Sequence, residues 1–250
     1  MLERFALQAS TFAASIDQVI LVVAIIVGFW FFLAEGVLFW LLAKFRYVEG
    51  RKGQYVVGES KEDTKWISRA HKAVLVCDVV ILAFAIKVWI DVKIDLPPAD
   101  QTVRIVGQQW AWTFVHPGLD GKLDTPDDIK TADELHVELG KNVHFLLTAT
   151  DVLHSFSVPA FRLKQDAIPG RVITGWFNAT KTGTFDIQCA EICGIGHGIM
   201  AARIVVDSAN NHQDWVKANA PLVVASAATT VEPTPTETAT TAHAPEGTEK

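Results

Sequence analysis

The sequence predicts a membrane-anchored β protein: an N-terminal two-helix transmembrane hairpin followed by an all-β Greek-key barrel or sandwich. Three observations carry this. Two long apolar runs lie within the first hundred residues, and short runs of β-branched and aromatic residues, separated by turn residues, fill the next stretch. Half of the 250 residues are apolar and the mean hydropathy is +0.24, which places part of the chain in lipid. The formal net charge of -6 offers no basic face, so nucleic acid is not an expected partner.

The elements follow in order. Residues 1–18 read as an outer N-terminal segment, without the short apolar run and small-residue cleavage site of a removable leader. Val19 to Ala43 is 25 residues interrupted only by Glu35. As a helix it would extend about 37 Å, enough to cross the roughly 30 Å hydrocarbon layer with tilt. Residues 73–91 form the second span; Ala73 to Ile90 is shorter, about 27 Å as a helix, and carries Asp78 and Lys87. Between them, residues 44–72 hold Lys44, Arg46, Arg51, Lys52, Lys61, Lys65, Arg69 and Lys72, whereas only Arg4 precedes the first span. That asymmetry places the loop in the cytoplasm and both the N-terminus and everything after Asp91 on the outer, periplasmic side of a bacterial inner membrane. Glu35 and Asp78 are costly against lipid and point to a protein neighbour, although Asp78 and Lys87 can also snorkel. Cys77 reads as a small apolar filler.

Residues 95–220 form the outer domain. Strand-like runs appear at 102–106, 110–115, 134–139, 142–148, 171–177, 183–188 and 201–206, with turns such as Gly140-Lys141-Asn142 and Lys181-Thr182-Gly183 between them. Seven short strands imply a sandwich or Greek-key barrel. Residues 225–250 are mostly Thr, Ala, Pro and Glu with no aromatic residue, the composition of a disordered tail, and His243 is incidental there.

The chemistry concentrates in "CAEICGIGHGIM", residues 189–200. Two cysteines on the outer side of a membrane, taken alone, read as a disulfide. Here Cys189, Cys193, His197 and Met200 follow a C-x3-C-x3-H-x2-M pattern, and thiolate, imidazole and thioether together are a donor set for copper, while zinc rarely uses the thioether. Gly194, Gly196 and Gly198 free the backbone to fold the donors toward one point. A further donor is available in "DVLHSFSVP", where His154 opens a strand 35 residues before Cys189.

These motifs, together with "DAIPGR" at 166–171, "GQQWAW" at 107–112 and the two-helix preface, resemble subunit II of haem-copper cytochrome c oxidase over roughly residues 16–216. The copper loop is the most specific part, shared with the CuA domain of nitrous oxide reductase and some related reductases. The resemblance implies a cupredoxin-like domain with a binuclear copper centre, CuA. Cys189 and Cys193 would bridge the two ions, His154 and His197 would each cap one, and Met200 and the backbone carbonyl of Glu191 would be weak ligands. It also implies that the Glu191 side chain reaches a magnesium or manganese ion at the border with subunit I, a hard cation suited to a carboxylate. Lys164, Asp166 and Arg171 would face subunit I, with subunit III a further neighbour.

The same resemblance makes Trp110 the exposed ring where cytochrome c delivers its electron. Trp110 and Trp112 alternate with Ala111 and are expected on one strand face, Trp112 as a candidate for core packing. The family often has tyrosine where this chain has Ala111. From Asp95 to Ala220 there are 15 acidic and 10 basic residues, seven of the acids between Asp120 and Glu138, which would attract a basic cytochrome. No C-x-x-C-H is present, so the donor haem is on another protein. Asp63 near Trp66 matches a glutamate the family often keeps at the mouth of a proton channel, and "DGKLDTPDD" at 120–128 is either a calcium loop or an acidic hairpin loop. The expected activity is electron uptake for a respiratory oxidase that reduces O2 on subunit I. The alternatives are the CuA subunit of a nitric oxide reductase and a membrane-anchored copper chaperone.

Overall fold

The computed structural model describes residues 7–53 and 57–221; the expected tail, with His243, lies outside them. Helix α1 is Ala13–Lys44, starting six residues ahead of the expected span. Helix α2 is Lys61–Trp89 and continues as a π-helical turn over Ile90–Ile94. It begins within the segment read as loop because Ser60 caps it, its side chain accepting from the Asp63 N–H at 3.1 Å, and Glu62 and Asp63 complement the helix dipole. Both helices are long and apolar enough to cross a membrane, and their apolar windows are unburied by the rest of the chain.

Ten strands among the described residues make two five-stranded sheets. The first orders β3 (Ile129–Ala132), β2 (Ala111–His116), β1 (Gln101–Gln108), β5 (Asn142–Ala149) and β8 (Ile173–Asn178). The second orders β4 (Glu134–Glu138), β10 (Ala201–Asp207), β9 (Gly183–Cys189), β6 (His154–Val158) and β7 (Leu163–Ala167). β1–β5 and β4–β10 are parallel within otherwise antiparallel sheets, so the chain crosses between layers as a Greek key. This is the cupredoxin-like sandwich the sequence implies. A C-terminal helix α3 (Ala209–Asn219), capped by Ser208, follows β10.

Period-two alternation builds the core. β5 sends Val143, Phe145, Leu147 and Ala149 inward, and β9 does the same with Phe185, Ile187 and Cys189. Trp112, Phe114, Phe145, Phe156, Phe161 and Phe177 are fully buried. Trp112 meets Phe156 edge to face at 5.6 Å, a geometry that adds about 1 kcal/mol beyond the area buried.

The ends of the hairpin nearest the sandwich are tied to it. Ala9 and Thr11 pair with Ala160, Thr180 and Asn178 through the backbone. Asp17, buried, takes Arg162 Nε at 2.7 Å and Nη2 at 2.9 Å. On α2's side, Trp176 donates to the Val92 carbonyl and Lys93 to Gln165. The two helix ends are therefore held on the same side, as a hairpin anchor requires.

Candidate metal centre

Three segments meet at one end of the sandwich: the start of β6, the end of β9 with the loop after it, and the β1–β2 turn. Alternation along β9 points Cys189 inward. The loop then curls, with the His197 and Ile199 N–H groups bonded to the Gly194 and Gly196 carbonyls, and a short helical turn His197–Ile199 presents His197 before Met200 enters β10. Cys189, Cys193, Met200 and His154 are all buried.

The sulfurs of Cys189 and Cys193 lie 3.8 Å apart and both residues are free thiols. A disulfide requires about 2.05 Å, whereas two thiolates sharing ions through bonds of about 2.3 Å fit the observed spacing. His154 Nδ1 is 3.2 Å from Met200 Sδ and 4.0 Å from Cys189 Sγ. His197 Nδ1 is 3.7 Å from Cys193 Sγ, Met200 Sδ is 3.8 Å from Cys193 Sγ, and the Glu191 carbonyl lies 3.3 Å from Cys189 Sγ. The sequence-nominated donors thus gather in one place, and His154, Cys189 and Cys193 alone place ligand atoms within 4.8 Å of one another. The soft sulfur and imidazole donors fit copper.

The protonation states bear on metal uptake in two opposite ways. Asp151, beside the site, accepts from His154 Nε2 at 2.9 Å, which puts the ring proton on Nε2 and leaves the Nδ1 lone pair facing the sulfurs. Burial raises the Asp151 carboxyl, but bonds from His154 and from the Gln109 and Val152 N–H groups outweigh it and hold the group below its ordinary value. Burial, helped by the neighbouring Cys189, pushes the Cys193 thiol up to about 11. Ligation by Cys193 would therefore displace a firmly held proton, so metal loading is expected to weaken as pH falls.

Trp110 does not share a strand face with Trp112. β1 pairs Gln108 with Ala111, leaving Gln109 and Trp110 as the turn between strands, while Trp112 is wholly buried in the core. Trp110 instead lies partly exposed against the copper loop, its Nε1–H donating to the Cys193 carbonyl at 3.2 Å. The acidic run at 120–138 is divided between the two ends of β2: Asp133 accepts the Trp112 N–H at 2.8 Å, near the Trp110 turn. Residues 117–128 follow His116, at the opposite end of β2 from the Trp110 turn, about 17 Å along the strand. Ile195, between two glycines that approach the Trp110 ring, is 96% exposed.

The other nominated residues fall as follows. Lys164 and Asp166 pair with each other at 3.0 Å on the surface, and Glu191 is half-buried. In the loop at 120–128, Asp124 grips Arg104 of β1 through two bonds, at 2.7 and 2.9 Å, and Asp127 accepts from the Asp120 N–H and from Thr125, so one carboxylate ties the loop to β1 and the other closes the loop on itself. Glu35 is half-buried and Asp78 exposed on their helices. Sequence reasoning missed Asp151 and Gln109, although both sit inside the quoted motifs. The signal was a carboxylate three residues before a candidate ligand histidine.

Residues 101–209 match the family model described as "Cytochrome C oxidase subunit II, periplasmic domain". The chain is 35% identical over 225 residues to the alternative cytochrome c oxidase subunit 2 of Bradyrhizobium diazoefficiens, covering 81% of this chain and 79% of that one. It is 43% identical over 126 residues to cytochrome c oxidase subunit 2 of Thermostichus vulcanus, covering 50% of this chain and 36% of that one. Among solved structures, the periplasmic domain of subunit II of cytochrome oxidase from Bradyrhizobium japonicum aligns at 32% identity over 50% of this chain and 96% of that one, with a TM-score of 0.45.

Proposed function

Because the chain belongs to the cytochrome c oxidase subunit 2 family, we propose that it is the membrane-anchored electron-uptake subunit of a respiratory oxidase. In this reading it takes single electrons from a cytochrome c on the outer face and hands them to the haem of subunit I, where O2 is reduced to water with proton translocation. The observation that carries the reading is the convergence of His154, Cys189, Cys193, His197, Met200 and the Glu191 carbonyl, from two segments, around a pair of free thiols 3.8 Å apart.

These residues would hold a dicopper centre, which supplies a one-electron couple whose bond lengths change little on reduction. The chain's own part is to keep that geometry fixed. Cys189 and Met200 are anchored by strands β9 and β10, where the Cys189 N–H bonds the Met200 carbonyl at 3.1 Å, and His154 is held by Asp151. Rigid donors lower the cost of changing charge. Core burial of His154, Cys193 and Met200 keeps water from the sulfurs, while Trp110 offers a half-exposed ring bonded to the Cys193 carbonyl. The acidic loop, remote from Trp110, steers a basic donor at long range. The carboxylate of Glu191 would hold magnesium or manganese against subunit I, with subunit III completing the assembly.

The test uses the assembled oxidase with Trp110→Leu. Reduction by cytochrome c is expected to slow by at least about tenfold while the copper absorption and EPR spectra persist. Unchanged kinetics would remove Trp110 from the route.

A further inference from the structure

The residue before Trp110 reaches more of the site than Trp110 itself. Gln109 Nε2 donates to the Cys193 carbonyl at 2.8 Å, the same oxygen that Trp110 Nε1 meets at 3.2 Å. The Gln109 main-chain N–H donates to Asp151 Oδ2 at 2.7 Å, and the other oxygen of that carboxylate lies 2.9 Å from His154 Nε2. One turn residue is therefore bonded to the carbonyl of one thiol ligand and, through a carboxylate, to the imidazole of another ligand.

The opposing loop is shaped to receive this turn. Gly194 has φ +120°, a conformation L side chains rarely adopt, and a Cβ there would stand 3.0 Å from Gln109 Nε2. A Cβ on Gly196 would overlap the Trp110 indole. The two glycines let the turn lie directly on the backbone of the loop.

We propose that Gln109 is a positioning residue that clamps the donor-facing turn onto the metal loop. Its side chain holds Trp110 in register with the Cys193 carbonyl, and its main-chain N–H holds Asp151 so that His154 keeps Nδ1 toward the sulfurs. The proposal rests on the electron-uptake reading for its consequence, but its geometry concerns only this chain's residues. Without the Gln109 amide, the turn keeps one side-chain hydrogen bond to the Cys193 carbonyl, the 3.2 Å bond from Trp110, besides the packing of the indole on Gly196. The ring then samples positions off the contact, and a misplacement of about 1 Å is enough to cost orders of magnitude in a geometry-dependent step. The amide dipole aimed at the Cys193 carbonyl also favours an added negative charge nearby, so its loss disfavours the reduced state.

Two side-chain variants separate the two branches of the clamp. Gln109→Leu removes the bond to Cys193 but leaves the main-chain N–H on Asp151, whereas Gln109→Lys restores a donor of similar reach. In the full-length chain in detergent without metal, the indole N–H resonance of Trp110 is expected to shift and exchange faster with solvent in Q109L and to return toward wild type in Q109K. In the copper-loaded oxidase, Q109L is expected to keep the wild-type copper content and EPR pattern, to be reduced by cytochrome c about tenfold more slowly, and to show a reduced-to-oxidised ratio about threefold lower at a fixed applied potential. A Trp110 resonance and a reduction rate both unchanged in Q109L would overturn the clamp, as would loss of the copper pair in Q109L, which would make Gln109 part of the scaffold. Failure of the wild-type chain to take two coppers would sink the metal reading instead, and the metal-free indole comparison would still decide the clamp.

Discussion

At one end of the sandwich His154 and His197 turn their Nδ1 atoms toward a shared group of sulfurs; at the other, His116 and His136 bond both ring nitrogens to the protein itself. His116 places Nδ1 3.3 Å from the Ile129 carbonyl and accepts the His136 N–H on Nε2 at 3.0 Å. His136 lies between Asp207 at 3.0 Å and Glu134 at 2.8 Å, and stacks on Trp215 of α3 at 4.2 Å. His212 faces the same indole from α3. Both ends are buried and rich in histidine, so residue type does not distinguish a ligand from a structural ring. What distinguishes them is whether lone pairs converge on one point or are each taken up by a separate neighbour.

Substituting at each end sharpens this contrast. Cys193→Ser should abolish the bound copper pair, whereas His136→Gln should retain it and instead lower stability by about 1–3 kcal/mol, because Asp207 and Glu134 lose a buried partner. Metal analysis and thermal melts of the two variants check this; loss of copper in H136Q would break the distinction. A second contrast lies in pH. Burial drives His116 down to about 4 from its ordinary 6.5, so the ring is neutral in the fold while the unfolded chain takes a proton below pH 6.5. The stability present above pH 6.5 is therefore lost as pH falls, by about 3 kcal/mol in all, levelling below about pH 4. Burial lowers His212 as well, adding in the same direction. Melts of His116→Gln between pH 7 and 4 should show a shallower fall than wild type; an equal slope would assign the acid sensitivity elsewhere. The smallest effect concerns salt. With the acids of 120–128 remote from Trp110 and the exposed Ile195 between two glycines that approach its ring, raising salt from ~20 to ~200 mM should slow reduction by cytochrome c less than about tenfold, as long-range steering alone is screened. A steeper loss would put charged contacts at the Trp110 surface.

Much of this architecture was legible in the sequence because its signals are local. The apolar runs gave both helices, alternation gave most strands, and the C-x3-C-x3-H-x2-M spacing nominated donors that fold together. What escaped lacked a local signal. β7, reading LKQDA, is mostly polar, and β3 spans four residues whose pairing comes from β2. α3 is a polar helix held by Trp215 against His116 and His136, contacts set by tertiary structure. The β1–β2 turn carries no Gly, Asn, Asp or Pro, so Trp110 read as strand. The docking of residues 7–17 on the sandwich depends on Arg162, 145 positions from Asp17 in the chain, a pairing no periodicity announces.

The most direct measurement is a copper titration of the full-length chain, followed by metal analysis and EPR. Two copper ions per chain with a multi-line mixed-valence signal, in purple protein, is the result expected from paired thiols 3.8 Å apart flanked by two imidazoles and a thioether. One ion per chain with a single-copper spectrum, or a chain that takes no copper while Cys189 and Cys193 are kept reduced, would contradict it.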